Sequence, residues 1–516
     1  MSRDIYTKYI FFVILAIIST LVSLNYFIKT PNDGVLYLSA AEYLVKNGVF
    51  LDPTRSFGEY MRPIPTPQIG IVLYLATLMK FFKSFWIIAY VIIFSIVWTI
   101  LVKKLIYFSK KNFVKAGKAV YFFPFFIFFS YDYLISASSF YNEALYFPLL
   151  IFAFLKVINY IQKKKNIFEN SYLFILFLII GIIFRIQHFI LLGSLLVFSI
   201  FYFRIKEFIY LSFITILNFL IFFFLLYFLK QYDSYIGIGT EVDKTFLDYI
   251  INLFQSQLDS LGNSVFKNLK VNLSLYVNYL NLPKIIDFHL VNNFFNLSEF
   301  LYLILAVINI LTIIFYFVKE KNKQIGIFLL TYVLLTSVFL FFLTDYTTRY
   351  FMMSNFCILF FLFSFIKLLK KKISWKLIIV TFLFFISILS FYGYGYFKGI
   401  NKFSAYNVGL NFKDFNKNRN NFFDSNDIII TRYRYNAYWF TGESSINPKE
   451  LINSNLMNNR RRYFFLGDIN YLYKHLSEKI VDIKNYSYLE TSETKDSATL
   501  QNKNFSIWRI YFETDN

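Results

Sequence analysis

Long apolar runs that alternate with short lysine-rich clusters are the feature that most restricts how this chain can fold. A helix that crosses the hydrocarbon core of a bilayer needs about 20 mostly apolar residues, and many of the runs approach this length. Only 16% of the 516 residues are charged, whereas a soluble globular domain carries roughly 25%. The pattern therefore predicts an α-helical polytopic membrane protein.

We predict about eleven membrane-spanning helices. They lie near residues 9–29, 85–102, 118–131, 142–160, 172–187, 189–203, 208–229, 299–318, 324–343, 350–368 and 376–396. The apolar stretch 66–82 is assigned to a helix at the membrane interface, because a further span there would place the next lysine-rich loop outside. His188 alone separates 172–187 from 189–203, so one long tilted helix is the alternative in that region.

The lysine and arginine clusters predict the orientation, because loops rich in these residues stay in the cytoplasm. The clusters are Arg3 and Lys8; Lys103, Lys104, Lys110, Lys111, Lys115 and Lys118; Lys163, Lys164 and Lys165; Arg204 and Lys206; Lys319, Lys321 and Lys323; and Lys367, Lys370, Lys371, Lys372 and Lys376. We expect a protein of the plasma membrane (the inner membrane of a bacterium) with a cytoplasmic N-terminus and long outer loops at about 30–84 and 230–298. Much of the net charge of +21 lies in these clusters, so it indicates topology rather than a nucleic-acid partner.

The region 397–516 differs from the rest of the chain, because its apolar runs are shorter and Asn, Asp, Lys and Ser are more frequent. We predict a membrane domain over 1–396 and a small soluble α/β domain over 397–516 on the extracytoplasmic side. The predicted strands are Asp427–Arg432, Tyr463–Leu466 and Ser506–Phe512, and the predicted helices are Pro448–Met457 and Ile469–Glu478. The single cysteine, Cys357, lies in an apolar run, and one cysteine excludes an intrachain disulfide.

Two features of the first outer loop carry possible chemistry. Asp33 follows the first helix, where a carboxylate can accept a proton from a hydroxyl group or hold a metal ion. The alternative is that Asn32-Asp33-Gly34 is a turn and that Asp33 caps the next helix. Arg62 precedes Pro63, Pro65 and Pro67, and this stiff segment either holds the guanidinium toward a cleft or leads into the interfacial helix.

Three further charged residues lie at predicted outer ends of helices. Glu143 opens the fourth span, where it either has a buried partner or favours the helix N-terminus from the interface. Arg185 ends the fifth span and can bind a phosphate, reach the lipid headgroups or pair with Glu143. Arg349 and Tyr350 precede the tenth span, where such residues are common interfacial anchors. The three histidines lack metal-ligand spacing, and no nucleotide-binding motif is present.

Taken in order and on one side of the membrane, these features resemble the GT-C superfamily of polyprenyl-phosphate-sugar glycosyltransferases. The chain is most similar to the branch that holds the lipid A aminoarabinose transferases and the protein O-mannosyltransferases. The matching residues are Asp33, Tyr37, Ala41 and Asn47-Gly48; Arg62 with Pro63, Pro65 and Pro67; Glu143; Gly181 and Arg185; Arg349-Tyr350; and, in the tail, Asp427–Ile430 and Trp439–Gly442.

The resemblance implies that Asp33 is the general base acting on the acceptor and that Glu143 supports the catalytic site. It implies that Arg349, Tyr350 and Arg185 lie near the donor phosphate, with Tyr37 and Arg62 also on the substrate side. Gly34 stands where many members carry a second acidic residue, which leaves the acceptor and the use of a divalent metal open. The expected donor is a polyprenyl-phosphate sugar held in the membrane lipid, and the acceptor is an unidentified glycan, lipid or protein.

A transporter or flippase of lipid-linked sugars is the first alternative, because arginines and carboxylates also line transport cavities. Transporters commonly show internal repeats and polar residues at mid-membrane depth, whereas the polar residues here are predicted in outer loops. A polymerase or ligase of lipid-linked glycans is the second alternative and fits the long loop at 230–298. A non-catalytic scaffold is the third.

Overall fold

A computed structural model describes the chain in part. The described residues are 3–28, 33–53, 69–113, 120–121, 123–124, 127, 133, 136–137, 140–163, 172–202, 205–231, 299–320, 323–341, 354–368, 428–431, 445–446, 451, 463–467, 472–473, 480–486 and 506–512. The chain divides into two compact units. The first comprises Met1–Val22, Ile87–Phe224 and Phe246–Gly395, and the second comprises Ser23–Trp86, Leu225–Thr245 and Tyr396–Asn516.

The described part of the chain is mostly helical. Its helices are α1 (Arg3–Ile28), α2 (Asp33–Asn47), α3 (Gly70–Phe82), α4 (Trp86–Asn112), α5 (Asn142–Lys163), α6 (Tyr172–Ile180), α7 (His188–Tyr202), α8 (Ile205–Gln231), α9 (Glu299–Lys319), α10 (Lys323–Phe341) and α11 (Asn355–Leu368). Within the described residues, three helical segments are long and apolar enough to cross a membrane, namely Gly70–Asn112, Asn142–Lys163 and Ile205–Leu225. The predicted span 376–396 lies outside the described residues, and most of 118–131 does too.

The chain between 172 and 203 does not form one continuous helix. In such a helix, Leu178 and His188 would be about 15 Å apart along the axis. Instead, His188 Nε2 lies 3.0 Å from the Leu178 carbonyl oxygen, and its ring centroid is 5.0 Å from that of Phe177. The chain therefore turns back on itself after α6, and the two-helix interpretation of this region is correct.

The lysines at 103–111 were expected in a loop, and this expectation is wrong because α4 continues through them to Asn112. Lysine is a good helix former, and its long side chain lets the charge reach water while the backbone stays helical. At the end of α4, Asn112 Nδ2 donates to the Phe108 carbonyl oxygen at 2.9 Å. The helix α4 therefore extends beyond the apolar run that predicted it.

Phenylalanine rings fill much of the core of the first unit. Phe108 and Phe113 from the end of α4, Phe123, and Phe356 and Phe360 from α11 lie with ring centroids 5.3–6.3 Å apart in several pairs. Such separations suit the tilted and edge-to-face contacts that aromatic rings prefer. The many phenylalanines of the sequence therefore pack α4 against α11.

The second unit contains a five-stranded mixed sheet in the order β2-β1-β3-β5-β4. The strands are β1 (Ile428–Thr431), β2 (Ser445–Ile446), β3 (Tyr463–Gly467), β4 (Ile480–Tyr486) and β5 (Ser506–Phe512). β1 runs parallel to β2 and β3, whereas β5 runs antiparallel to β3 and β4. The three predicted strands are confirmed, and all four residues of β1 are buried, as in a strand with neighbours on both sides.

The two helices predicted between these strands lie almost entirely outside the described residues. Leu451 falls within the first of them, and Leu472 and Tyr473 fall within the second; all three residues are helical. Elsewhere in the second unit, α2 packs against α3, whose buried face includes Val72, Leu75 and Met79.

Candidate functional site

Glu143 lies in the first turn of α5 and is buried, with 1% of its surface exposed. The chain enters the helix sharply, because Phe140 has a φ of 60° and the Tyr141 amide donates to the Ser136 carbonyl oxygen at 3.0 Å. A carboxylate at this position is favoured by the positive end of the helix dipole. The local sequence therefore fixes an anion at the N-terminus of a membrane-length helix.

Arg185 lies in the turn between α6 and α7. A short 3-10 helix, Gly181–Ile183, follows α6. The Gly181 carbonyl oxygen then accepts hydrogen bonds from the backbone amides of Phe184 and Arg185, at 3.1 and 3.2 Å. The His188 amide donates to the Arg185 carbonyl oxygen at 3.0 Å, which starts α7. These hydrogen bonds fix the direction in which the Arg185 side chain leaves the backbone.

Glu143 and Arg185 form a buried ion pair, with 2.7 Å between Arg185 Nη2 and Glu143 Oε1. Their side chains are only 1% and 5% exposed, so neither charge reaches out toward lipid headgroups. Of the three roles that the sequence left open for Arg185, pairing with Glu143 is the one found. Burying two charges costs free energy of desolvation, and only a well-placed partner offsets this cost. Each of these two buried charges therefore needs the other.

His188 and Tyr146 form a second buried polar contact, which starts one turn along α5 from Glu143. His188 Nε2 lies 3.0 Å from the Leu178 carbonyl oxygen and can only donate to it, so Nδ1 accepts from the Tyr146 hydroxyl at 3.3 Å. Asn218 Nδ2 also donates to the Leu178 oxygen, at 2.7 Å.

Gly181 provides the space for the His188 ring. A Cβ atom at Gly181 would overlap the imidazole, with Nε2 only 2.7 Å away. The spacing of the three histidines shows only that they lack a metal-ligand pattern, and it does not reveal this role of His188. The sequence signal for this contact is that Gly181 lies near the end of one apolar run and His188 starts the next.

The structure describes only some of the remaining predicted site residues. Tyr37 lies in α2 of the second unit and is 9% exposed. Asp33 is the first residue of α2, and its side chain lies outside the described part, so the general base and the helix cap both stay predictions. Arg62 and the pair Arg349-Tyr350 lie outside the described residues altogether.

No group of three or more His, Cys, Asp or Glu side chains comes together among the residues that the structure describes. The donor set around Glu143 consists of an arginine, a histidine held by two hydrogen bonds and a tyrosine, which does not suit a divalent cation. The described chemistry around Glu143 is that of a buried ion pair with Arg185.

Several lysine-rich helix ends of the first unit lie together. Lys111 Nζ, near the end of α4, donates to Gln162 Oε1, near the end of α5, at 2.9 Å. The Tyr160 hydroxyl, also near the end of α5, donates to Glu207 Oε2 at the start of α8 at 2.9 Å. Lys367 of α11 pairs with Glu320, which follows α9, at 2.6 Å. The basic ends of α4 and α5 thus lie far from Glu143, which begins α5.

No protein-family model matches this chain, and no curated protein sequence matches it.

Proposed function

We propose that the chain is an integral membrane glycosyltransferase that moves a sugar from a polyprenyl-phosphate donor to an envelope glycan, lipid or protein on the outer face of the plasma membrane. The proposal includes about eleven spans, a cytoplasmic N-terminus and an extracytoplasmic domain over 397–516. The observation that carries it is the buried pair of Glu143 and Arg185, at the end of α5 opposite the lysines.

The length of α5 supports an outer position for this pair. From Glu143 to Lys163 the helix rises about 30 Å, the thickness of the hydrocarbon core. If Lys163 marks the cytoplasmic boundary, Glu143 and Arg185 lie at the outer boundary. A donor that consists of a sugar phosphate on a long isoprenoid presents its reacting bond at that depth.

The chemistry requires a base on the acceptor and a cation on the leaving group. In the proposal, the Asp33 carboxylate takes the proton from an acceptor hydroxyl, whose oxygen attacks the anomeric carbon. The bond from that carbon to the phosphate oxygen breaks, and polyprenyl phosphate leaves with the electron pair. Arg185 and Arg349 stabilise its charge, with Tyr350 beside them. Glu143 orients Arg185, since a guanidinium has donors enough for a carboxylate and a phosphate together.

The first experiment replaces Asp33 by Asn in the purified full-length protein, supplied with polyprenyl-phosphate sugars and envelope acceptors. Asparagine caps a helix about as well as aspartate, so the start of α2 is preserved while the base is lost. We expect the release of polyprenyl phosphate to fall by about 100-fold or more. Donor binding should be unchanged, because Asp33 acts on the acceptor.

Glu42→Gln is the matched control, because it removes a carboxylate from the same helix nine residues further along. Turnover by this variant should stay within a few-fold of the unmodified protein. If Asp33→Asn turns over the donor as well as Glu42→Gln does, Asp33 is only a cap. If the unmodified protein moves intact lipid-linked sugar between leaflets and releases no phosphate, the protein is a transporter.

A further inference from the structure

A cavity of about 790 Å³ lies among the basic ends of α4 and α5, next to α1. Six lysines line it, and the described lining contains no acidic residue. The lysines are Lys103, Lys104, Lys110 and Lys111 of α4, and Lys156 and Lys163 of α5. The cavity belongs wholly to the first unit and is at the opposite end of α5 from Glu143. It is therefore a second site, separate from the cluster proposed for catalysis.

Two of these lysines share one aromatic ring. Lys104 Nζ lies 4.7 Å from the centroid of Phe152, and Lys156 Nζ lies 5.9 Å from the same centroid. The two ammonium groups repel each other, and a ring face offsets only part of that repulsion. An anion placed between the two ammonium groups removes this repulsion. The space between them is therefore the preferred position for a negatively charged group.

The rim of the cavity is fixed by side-chain hydrogen bonds. Lys111 donates to Gln162, Gln162 donates to Asn112, and Asn112 donates to the Phe108 carbonyl oxygen. This chain ties the last turn of α4 to the last turn of α5. These hydrogen bonds fix the spacing of the two helix ends that carry the lysines.

Apart from the lysines and a few uncharged polar residues, the lining is apolar. Ile10 of α1, Ile100 and Phe108 of α4 and Leu155 of α5 border the same space. Ile100 and Ile96, one turn before it, are 50% and 45% exposed, as expected for residues that face lipid chains. A ligand that fills the cavity therefore meets ammonium groups on one side and a hydrocarbon-facing helix surface on the other.

We propose that this cavity binds the phosphate headgroup of an acidic membrane lipid from the leaflet on the lysine-rich side. The phosphate lies between Lys104 and Lys156, and the first part of the acyl chain follows Ile100. Basic pockets between helices on the cytoplasmic side are suited to anionic headgroups, whereas a free phosphate ion would leave the apolar half unused. The inference rests on membrane insertion of α4 and α5 and is independent of the catalytic proposal.

The test uses the full-length protein in a neutral detergent, with lipid binding followed by native mass spectrometry. Phosphatidylglycerol and phosphatidylcholine are titrated against the unmodified protein and against the double variant Lys104→Gln/Lys156→Gln. Both lysines are on the helix surface, so their replacement does not disturb the core. We expect phosphatidylglycerol to bind at least about tenfold more weakly to the double variant, equivalent to about 1.4 kcal/mol. Phosphatidylcholine binding should be unchanged.

Lys80→Gln/Lys83→Gln is the matched control, because it removes the same charge from exposed positions that do not line the cavity. This control should bind phosphatidylglycerol normally, and Lys104→Arg/Lys156→Arg should retain binding. An equal loss of phosphatidylglycerol binding in the control would show that the lipid is attracted by overall charge, and it would overturn the proposed site. Displacement of the lipid by millimolar inorganic phosphate would overturn the assignment to a lipid headgroup and identify a site for a free anion.

Discussion

The buried pair of Glu143 and Arg185 permits a quantitative test through a double-mutant cycle. The perturbations are Glu143→Gln, Arg185→Met and the two combined. Each single replacement leaves the other charge buried without its 2.7 Å partner, whereas the double replacement removes both charges. The cycle therefore separates the interaction from the effects of the individual side chains.

The expected magnitude follows from the burial of the two groups. With side chains only 1% and 5% exposed, solvent does not screen the charge that remains. Breaking one side of such a pair costs about 3–5 kcal/mol, while removing both charges is close to neutral. We expect each single variant to lose stability in this range and the double variant to recover most of it, which gives a coupling energy of about 6 kcal/mol or more.

The pair of Lys367 and Glu320 is a matched control within the same unit. Its two charges are as close, at 2.6 Å, but the side chains are 26% and 17% exposed. More exposed pairs contribute about 1 kcal/mol or less. The cycle of Lys367→Gln and Glu320→Gln should therefore show a coupling energy several-fold smaller than that of the buried pair.

Both cycles are measured by equilibrium unfolding in mixed micelles with increasing dodecyl sulfate, followed by tryptophan fluorescence. This measurement reports stability and needs no substrate. Coupling at the buried pair no greater than at the exposed pair would refute the reasoning from burial. Additive single losses would also refute it, because they would mean that the two charges do not depend on each other.

Two further predictions concern single residues. Gly181→Ala should lower the thermal unfolding midpoint more than Gly193→Ala does, because its Cβ overlaps the His188 ring, whereas the nearest atom at Gly193 is 3.4 Å away. Burial raises the pKa of Glu42, and Lys46 opposes this only in part, so the folded state holds the proton more tightly than the unfolded state. Stability from this group is therefore fully present below the ordinary pKa and is lost as pH rises through the folded pKa; Glu42→Gln should gain stability relative to the unmodified protein at pH 8 and lose that advantage at pH 4.5.

Within the described residues, helices lie where the hydrophobic runs predicted them, and three of these segments have membrane length. The runs predicted helix ends less well, since α4 continues through lysines to Asn112. The strand β5 was predicted at its observed bounds, but β4 was missed. β4 is an edge strand with Asp482 and Lys484 in it, and charges are what edge strands carry to avoid further pairing.

Glu143 and Arg185 were predictable as single residues but not as a pair. The sequence indicated that Glu143 and Arg185 are costly charges near apolar runs, and it offered pairing as one of several outcomes. It could not select that outcome, because the choice depends on how the turn after Gly181 orients Arg185 across 42 residues of chain. His188 was missed for a similar reason, since its partners, Tyr146 and Leu178, are set by the fold.

The strand order has a consequence for how the second unit is made during synthesis. β5 lies between β3 and β4, and among the described strands β4 pairs with β5 alone. β4 therefore leaves the ribosome without a partner and stays unpaired until Phe512 has been added. A ribosome that stalls between these two strands would expose an unpaired edge on β3, which is the kind of surface that chaperones bind and that misassembles when they do not.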